Sequence, residues 1–391
     1  MLQFTFWSPT DVWFGRGAAE HAGEYCKKYG RNRVLLVTGC GSTERSGLMD
    51  TVRASLEAQG IAHTTLGGVV ANPTLAKARE GIALALEFGA DFVMGVGGGS
   101  AIDTAKMIAH GAANPETDVW EFWLGKKKIE KSLGVAALPT LAGAGSELSA
   151  SSVITNVPER DKRGLNTPFN RPIFALMDPT LLATLPAYQI GCGCADILFH
   201  TLERYFTDTQ GNHLSDGIAE AVMRITVQYA PRLLADPTDY TAQSEILWAG
   251  AVSHNEITGL GGRKKMEIHS MGHRLTADFG IAHGASLTVL FGAWARLFIE
   301  NDRARFSRFG HTVFGLPENC TAEEAIDACE AWFKLLGTPT TFGESPEIGI
   351  LTDERLQQLA LAVTDGGRSR FGSFGDIGYE EALAIFRAAN R

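Results

Sequence analysis

Arg33-Val34-Leu35-Leu36-Val37 is an almost unbroken apolar run that stops at Gly39-Cys40-Gly41. Such a run predicts a strand buried on both faces and leading into a loop. Leu48, Val52 and Leu56 follow at four-residue spacing with Gly60 behind them, which predicts a helix and its stop. Thr74 is placed to cap a second helix running to about Gly89. Phe92-Val93-Met94-Gly95-Val96 predicts another buried strand, which runs directly into Gly97-Gly98-Gly99-Ser100. A helix from about Ile102 and a strand at Val135-Ala136-Ala137-Leu138 continue the alternation. Repeated strand–helix units imply an α/β domain with a mainly parallel sheet and helices on both faces. The strand patterns at Gln3–Phe6 and Val12–Phe14 are assigned to the same domain, at a sheet edge open to a second subunit.

Beyond about residue 187 the strand signal fades. Segments 194–207, 215–235, 241–256 and 321–337 carry apolar residues at three- and four-residue spacing and predict helices. Pro186-Ala187 is the best boundary, giving an α/β domain at 1–187 and an all-helical domain at 188–391. The length of 391 residues agrees, being too great for one ordinary core.

Composition narrows the functional classes. Hydrophobic residues at 45% and charged residues at 20% are ordinary for a soluble globular protein. A net charge of -9 argues against nucleic acid as a partner, because phosphate binding needs clustered Lys and Arg. The basic run Lys126-Lys127-Lys128 has no interleaved aromatics and is taken as a solvated loop. No apolar run is long enough to span a membrane, and the N-terminus lacks the features of a signal peptide. Six cysteines at positions 26, 40, 192, 194, 320 and 329 are too sparse for a disulfide framework and suit a reducing cytoplasm. Cys192 and Cys194 are taken as small buried residues packing a helix rather than as soft metal ligands.

Two features carry chemistry. Gly97-Gly98-Gly99-Ser100 lies where backbone N–H groups and a helix N-terminus can meet a diphosphate. Lys106 is too far into the helix to be a P-loop lysine. If the Gly39–Ser42 loop lies beside an adenine ribose, an acid there would repel a 2′-phosphate. The chain instead has Gly39, with Thr38, Ser42, Thr43 and Arg45 nearby, so NADP(H) is favoured over NAD(H). The second feature is a set of donors. Asp196 and His200 share one helix face, as do His269 and His273, and His283 follows a helix break at Asp278-Phe279-Gly280. One carboxylate with several imidazoles suits Fe²⁺ or Zn²⁺ and is unlike a thiolate-based structural zinc site.

Asn72-Pro73-Thr74, GGGSAIDTAK (97–106), LPTLAGAGSEL (138–148), MDPTLLATLP (177–186), ADILFHTLERY (195–205) and HSMGHRLTADFGIAHG (269–284) together resemble one family over nearly the whole chain. It is that of the iron-containing (group III) alcohol dehydrogenases, most of all their NADP(H)-using, butanol dehydrogenase-like branch. The resemblance implies a dinucleotide-binding domain, a helical metal-binding domain of the dehydroquinate synthase-like plan, and a cleft between them. It places metal ligands at Asp196, His200, His269 and His283, and sets His273 beside the nicotinamide as a proton relay or a brace for the ligands. Cofactor positions fall on Gly39, Ser42, Asn72, Gly97, Gly98, Gly99, Ser100, Asp103, Thr140 and Lys162. Leu141 and Ala144 replace threonines of the family pattern, removing hydroxyls from that segment.

The resulting expectation is a homodimeric alcohol dehydrogenase or aldehyde reductase acting on short-to-medium primary alcohols and aldehydes such as butanol and butanal. The competing readings are a metal- and nucleotide-dependent lyase of the dehydroquinate synthase type, and a metal-binding module without catalysis. A lyase would want Lys and Arg around a phosphorylated acid. Leu198, Phe199, Met266, Met271, Phe279 and Ile281 near the ligands fit an apolar substrate better.

Overall fold

The computed structural model describes residues 1–391. Two compact units divide the chain, one of Trp7–Ala183 and the other of Met1–Phe6 with Thr184–Arg391.

The first unit is built on a six-stranded sheet whose strands are β1 (Asp11–Phe14), β2 (Arg33–Gly39), β3 (Ala62–Val69), β4 (Phe92–Gly97), β5 (Val135–Pro139) and β8 (Phe174–Met177). Their order is β1-β8-β5-β4-β2-β3, and every pairing is parallel. The run at β2 is apolar throughout because its two faces serve two cores. Val34 and Leu36 pack with Met49, Val52 and Leu56 of the helix Leu48–Ala58. Leu35 and Val37 pack with Ala105, Ile108 and Ala109 of the helix Gly99–Ala113. A parallel sheet covered on both faces requires this pattern, and each such side chain contributes on the order of 1.5–3 kcal/mol by burial. Local signals set the ends. Thr74 accepts a hydrogen bond from the Lys77 N–H at 3.2 Å and caps the helix Leu75–Phe88, which Gly89 ends at φ 67°. A separate antiparallel hairpin, β6 (Ser151–Asn156) with β7 (Asp161–Asn166), was not foreseen from the sequence.

The second unit is helical. Its central helix Ala187–Tyr205 is buried from Ile190 to Tyr205, and the helices His213–Ala235, Tyr240–Ser253, Glu267–Phe279, His283–Leu297 and Ala322–Leu335 are among those that complete it. None of the helices is long and apolar enough to cross a membrane. The N-terminus departs from expectation. Residues 1–10 form no strand, and the Leu2 N–H donates to the Gly261 carbonyl at 2.8 Å, which ties Met1–Phe6 to the helical unit. Val12–Phe14 does form an edge strand, pairing with β8 alone.

Candidate metal centre and nucleotide loops

Asp196 and His200 lie one turn apart on the central helix, His269 sits near the start of the helix Glu267–Phe279, and His283 opens the next helix. Gly280, at φ 72°, ends the first of these two helices and turns the chain so that His283 comes back toward His269. Gly284 lets the turn approach the central helix, since a Cβ there would stand 2.0 Å from the Cys192 carbonyl oxygen. Three imidazole Nε2 atoms therefore converge on one oxygen. Asp196 Oδ1 is 3.7 Å from His200, 3.4 Å from His269 and 3.6 Å from His283. Ligand–metal bonds of about 2.0–2.1 Å in a tetrahedron put neighbouring donors about 3.4 Å apart, so this spacing fits a single divalent ion. The Nε2 of His269 is buried without a hydrogen bond, as an atom reserved for a metal would be.

Burial and neighbouring charges act on the two buried imidazoles in opposite directions. Burial drives the His200 imidazolium well below its ordinary pKa of 6.5. Asp196 opposes this, and His254, His269 and Arg204 add to it, so the ring is neutral. Burial also penalises a charged His269, but Glu203 and Asp196 outweigh that penalty and lift the group to about 9. Glu203, itself buried, bonds the Nδ1 of His269 and also accepts from the Ile268 backbone N–H and, at 3.3 Å, from that of His269. It fixes ring orientation and leaves Nε2 facing the other donors. Glu203 was not among the residues expected, although Asp196, His200 and Glu203 at i, i+4 and i+7 lie on one helix face. His254, whose ring centre is 4.0 Å from that of His200, gave no sequence signal at all.

His273 stands apart from the donor cluster. It is half-buried, with its ring 5.3 Å from that of His283 and 6.3 Å from that of His269. Cys192 and Cys194 are buried, and burial raises their thiols to about 11 and about 12, which suits packing rather than ligation.

In the α/β unit the two glycine-rich loops leave adjacent parallel strands, β2 and β4, whose register pairs Thr38 with Val96. The chain moves outward from β2 to β3 and then crosses to β4 on the other side. The loops therefore flank a topological switch point, where open sheets bind ligands. Gly97 has φ 153°, and its carbonyl accepts from the Thr140 N–H at 3.0 Å. A Cβ on Gly99 would stand 2.8 Å from that of Ala144, so the loop is packed with no room for a side chain. Gly98 and Gly99 open the helix Gly99–Ala113, presenting its N-terminus. Lys162 donates to Asn72 Oδ1 at 3.1 Å, joining two expected cofactor positions, and Asn72 has φ 56°.

Other positions weighed for the cofactor turn inward. Asp103 accepts from Ser146 Oγ at 2.5 Å and from the Val153 N–H at 2.8 Å, tying its helix to the segment after β5 and to β6. Lys106 is buried and donates to Ser146 Oγ and to the carbonyls of Ser146 and Ser151. Thr38 and Thr43, considered as phosphate donors, are buried and bond each other at 2.6 Å. Only Ser42 and Arg45 of that group are exposed.

Comparison with known proteins identifies the family. Residues 9–179 match the family model for iron-containing alcohol dehydrogenases, and residues 192–390 match that for their C-terminal domain. The chain belongs to the iron-containing alcohol dehydrogenase family. It is 36% identical to NADH-dependent butanol dehydrogenase A of Clostridium acetobutylicum over 99% of both chains. It is 29% identical to the NADPH-dependent aldehyde reductase YqhD of Escherichia coli over the full length of both. The crystal structure of NADH-dependent butanol dehydrogenase A from Thermotoga maritima superimposes with a TM-score of 0.94 at 31% identity, covering 100% of this chain and 99% of that one.

Proposed function

We propose that this member of the family interconverts short-to-medium primary alcohols and their aldehydes, butanol and butanal among them, with NADP(H) as hydride carrier. The observation that carries the reading is the convergence of three imidazole Nε2 atoms on Asp196 Oδ1 at 3.4–3.7 Å. Asp196, His200, His269 and His283 would hold one Fe²⁺ or Zn²⁺, which when bound supplies Lewis-acid polarisation of the substrate oxygen. Glu203 keeps His269 in the tautomer and rotation that this requires. His273 takes up and releases the alcohol proton, being half-buried within reach of solvent beside His283. Gly97 to Ser100 and the helix behind them bind the pyrophosphate, with Asn72, Thr140 and Lys162 along the nucleotide. Asp103 acts on the nucleotide indirectly, by holding Ser146 in the segment that packs on Gly99 through Ala144.

Preference for NADP(H) rests on Gly39, which leaves no acid to repel a 2′-phosphate, and on Ser42 and Arg45 as its donors. The relatives divide on this point, since the butanol dehydrogenases carry NADH in their names and the aldehyde reductase NADPH. A lyase acting on a phosphorylated acid is disfavoured, because Arg204 is buried and bonded to two carbonyls and an imidazole, and Arg274 is paired with Asp278. We place the protein in a reducing cytoplasm, in keeping with six free cysteines, and as a homodimer. A second copy would cover the exposed Leu2, Phe4, Phe6 and Trp7, an apolar segment that costs free energy in water. Sedimentation of the purified chain as a monomer would remove the dimer. The function itself is tested by butanal reduction with NADPH and with NADH after loading with Fe²⁺, Zn²⁺ or neither. Metal-dependent turnover faster with NADPH is expected. Equal or faster turnover with NADH overturns the cofactor preference, and metal-independent turnover overturns the mechanism.

A further inference from the structure

His200 and His269 are held in different ways. The Nδ1 of His269 is tied to Glu203, as a metal-bound imidazole usually is. The Nδ1 of His200 is sealed from solvent and makes no hydrogen bond. Its ring packs instead against two imidazoles, that of His269 at 4.7 Å between centres and 13° between planes, and that of His254 at 4.0 Å and 35°. His254 is fixed in turn. Arg204 Nη2 donates to its Nδ1 at 2.8 Å, and because a guanidinium cannot accept, that nitrogen carries the lone pair. Arg204 follows His200 by one turn on the same helix, and its Nη1 donates to the carbonyls of His200 and, at 2.8 Å, Ser253. Gly259 makes room for it, since a Cβ there would come 2.8 Å from Arg204 Cδ. One buried guanidinium therefore grips both the backbone of His200 and the ring packed against its side chain.

We propose that His254, held by Arg204, is a positioning residue that braces the His200 ring by stacking and so substitutes for the hydrogen bond absent at Nδ1. This rests on Asp196, His200, His269 and His283 being metal ligands. An imidazole free to turn about its χ2 bond presents Nε2 only part of the time, and each misplaced rotation opens a route for metal to leave. A flat ring at position 254 supplies the brace whether or not it carries nitrogen. An aliphatic side chain of similar bulk fills the volume but does not supply a stacking face.

The test is release of Co²⁺ from the cobalt-loaded enzyme to a chelator, followed by the Co²⁺ absorption bands, in wild type, His254→Phe, His254→Leu and His254→Ala. The expected result is release roughly tenfold or more faster in His254→Ala and His254→Leu, on the scale of lost supports around metal ligands, with His254→Phe close to wild type. If His254→Ala does not fold, the contrast between Leu and Phe decides. The brace is overturned if His254→Leu releases Co²⁺ as slowly as wild type, or if His254→Phe releases it as fast as His254→Leu. Wild type that takes up no Co²⁺ overturns the ligand set, and the brace with it, and this result is distinct from the other two.

Discussion

The two units of this chain build their candidate sites from different materials. In the α/β unit the site is mostly backbone, made of two glycine loops at the ends of β2 and β4, with side chains such as Asp103 and Lys106 turned inward as braces. In the helical unit the site is mostly side chain, with four donors from three helices steered by Glu203 and stacked rings. A backbone site is set by chain geometry and fails when a side chain intrudes. A side-chain site is set by tertiary convergence and fails when one donor or its support is removed. The two units should therefore respond to different lesions.

The largest effect is expected from His269→Ala or His283→Ala, each of which should abolish metal retention and turnover together while leaving nucleotide binding in place. Metal content by atomic absorption and nucleotide affinity by fluorescence check both halves. An intact metal content in either variant would break the comparison. Next comes Glu203→Gln, which weakens the grip on the His269 ring without touching a ligand atom. Metal affinity should fall about 10–100-fold. In the other unit, Gly99→Val puts atoms where a Cβ alone would stand 2.8 Å from that of Ala144. Nucleotide affinity should fall on the order of tenfold, about 1.4 kcal/mol, with metal content unchanged.

The smallest effect concerns protons. His269 is raised from 6.5 to about 9 by Glu203 and Asp196 against burial, so without metal it is charged at neutral pH. A raised folded-state value means that its contribution to stability is complete below about 6.5 and is lost as pH climbs through about 9. The metal-free protein should thus lose thermal stability across that span, while metal affinity rises. Metal uptake at pH 7.5 should release about one proton, measurable by calorimetry in buffers of different ionisation enthalpy.

The same contrast explains what the sequence made legible. β2, β4, the helix Leu48–Ala58 and the Thr74 cap could be read because local patterns determine them. Asp196, His200, His269 and His283 stood out because histidines at helical spacing are uncommon, and the structure brings them together. The hairpin β6–β7 escaped notice because its second strand, DKRGLN, is polar and short and takes its place from pairing. Gln3–Phe6 alternates as a strand would, yet the chain before it is anchored at Gly261, a contact no local pattern could announce. Thr38 and Thr43 looked like phosphate donors until their mutual hydrogen bond accounted for both. His254 and Arg204 matter only through a fold that carries residue 254 back to residue 200.

The most direct test of the account is turnover measured against bound metal while metal-stripped protein is titrated with Fe²⁺ or Zn²⁺. The account predicts negligible activity at zero metal and a linear rise that breaks at about one ion per chain, the capacity of a single four-donor site. Full activity in the stripped protein, or the same rise in Asp196→Ala, would contradict it.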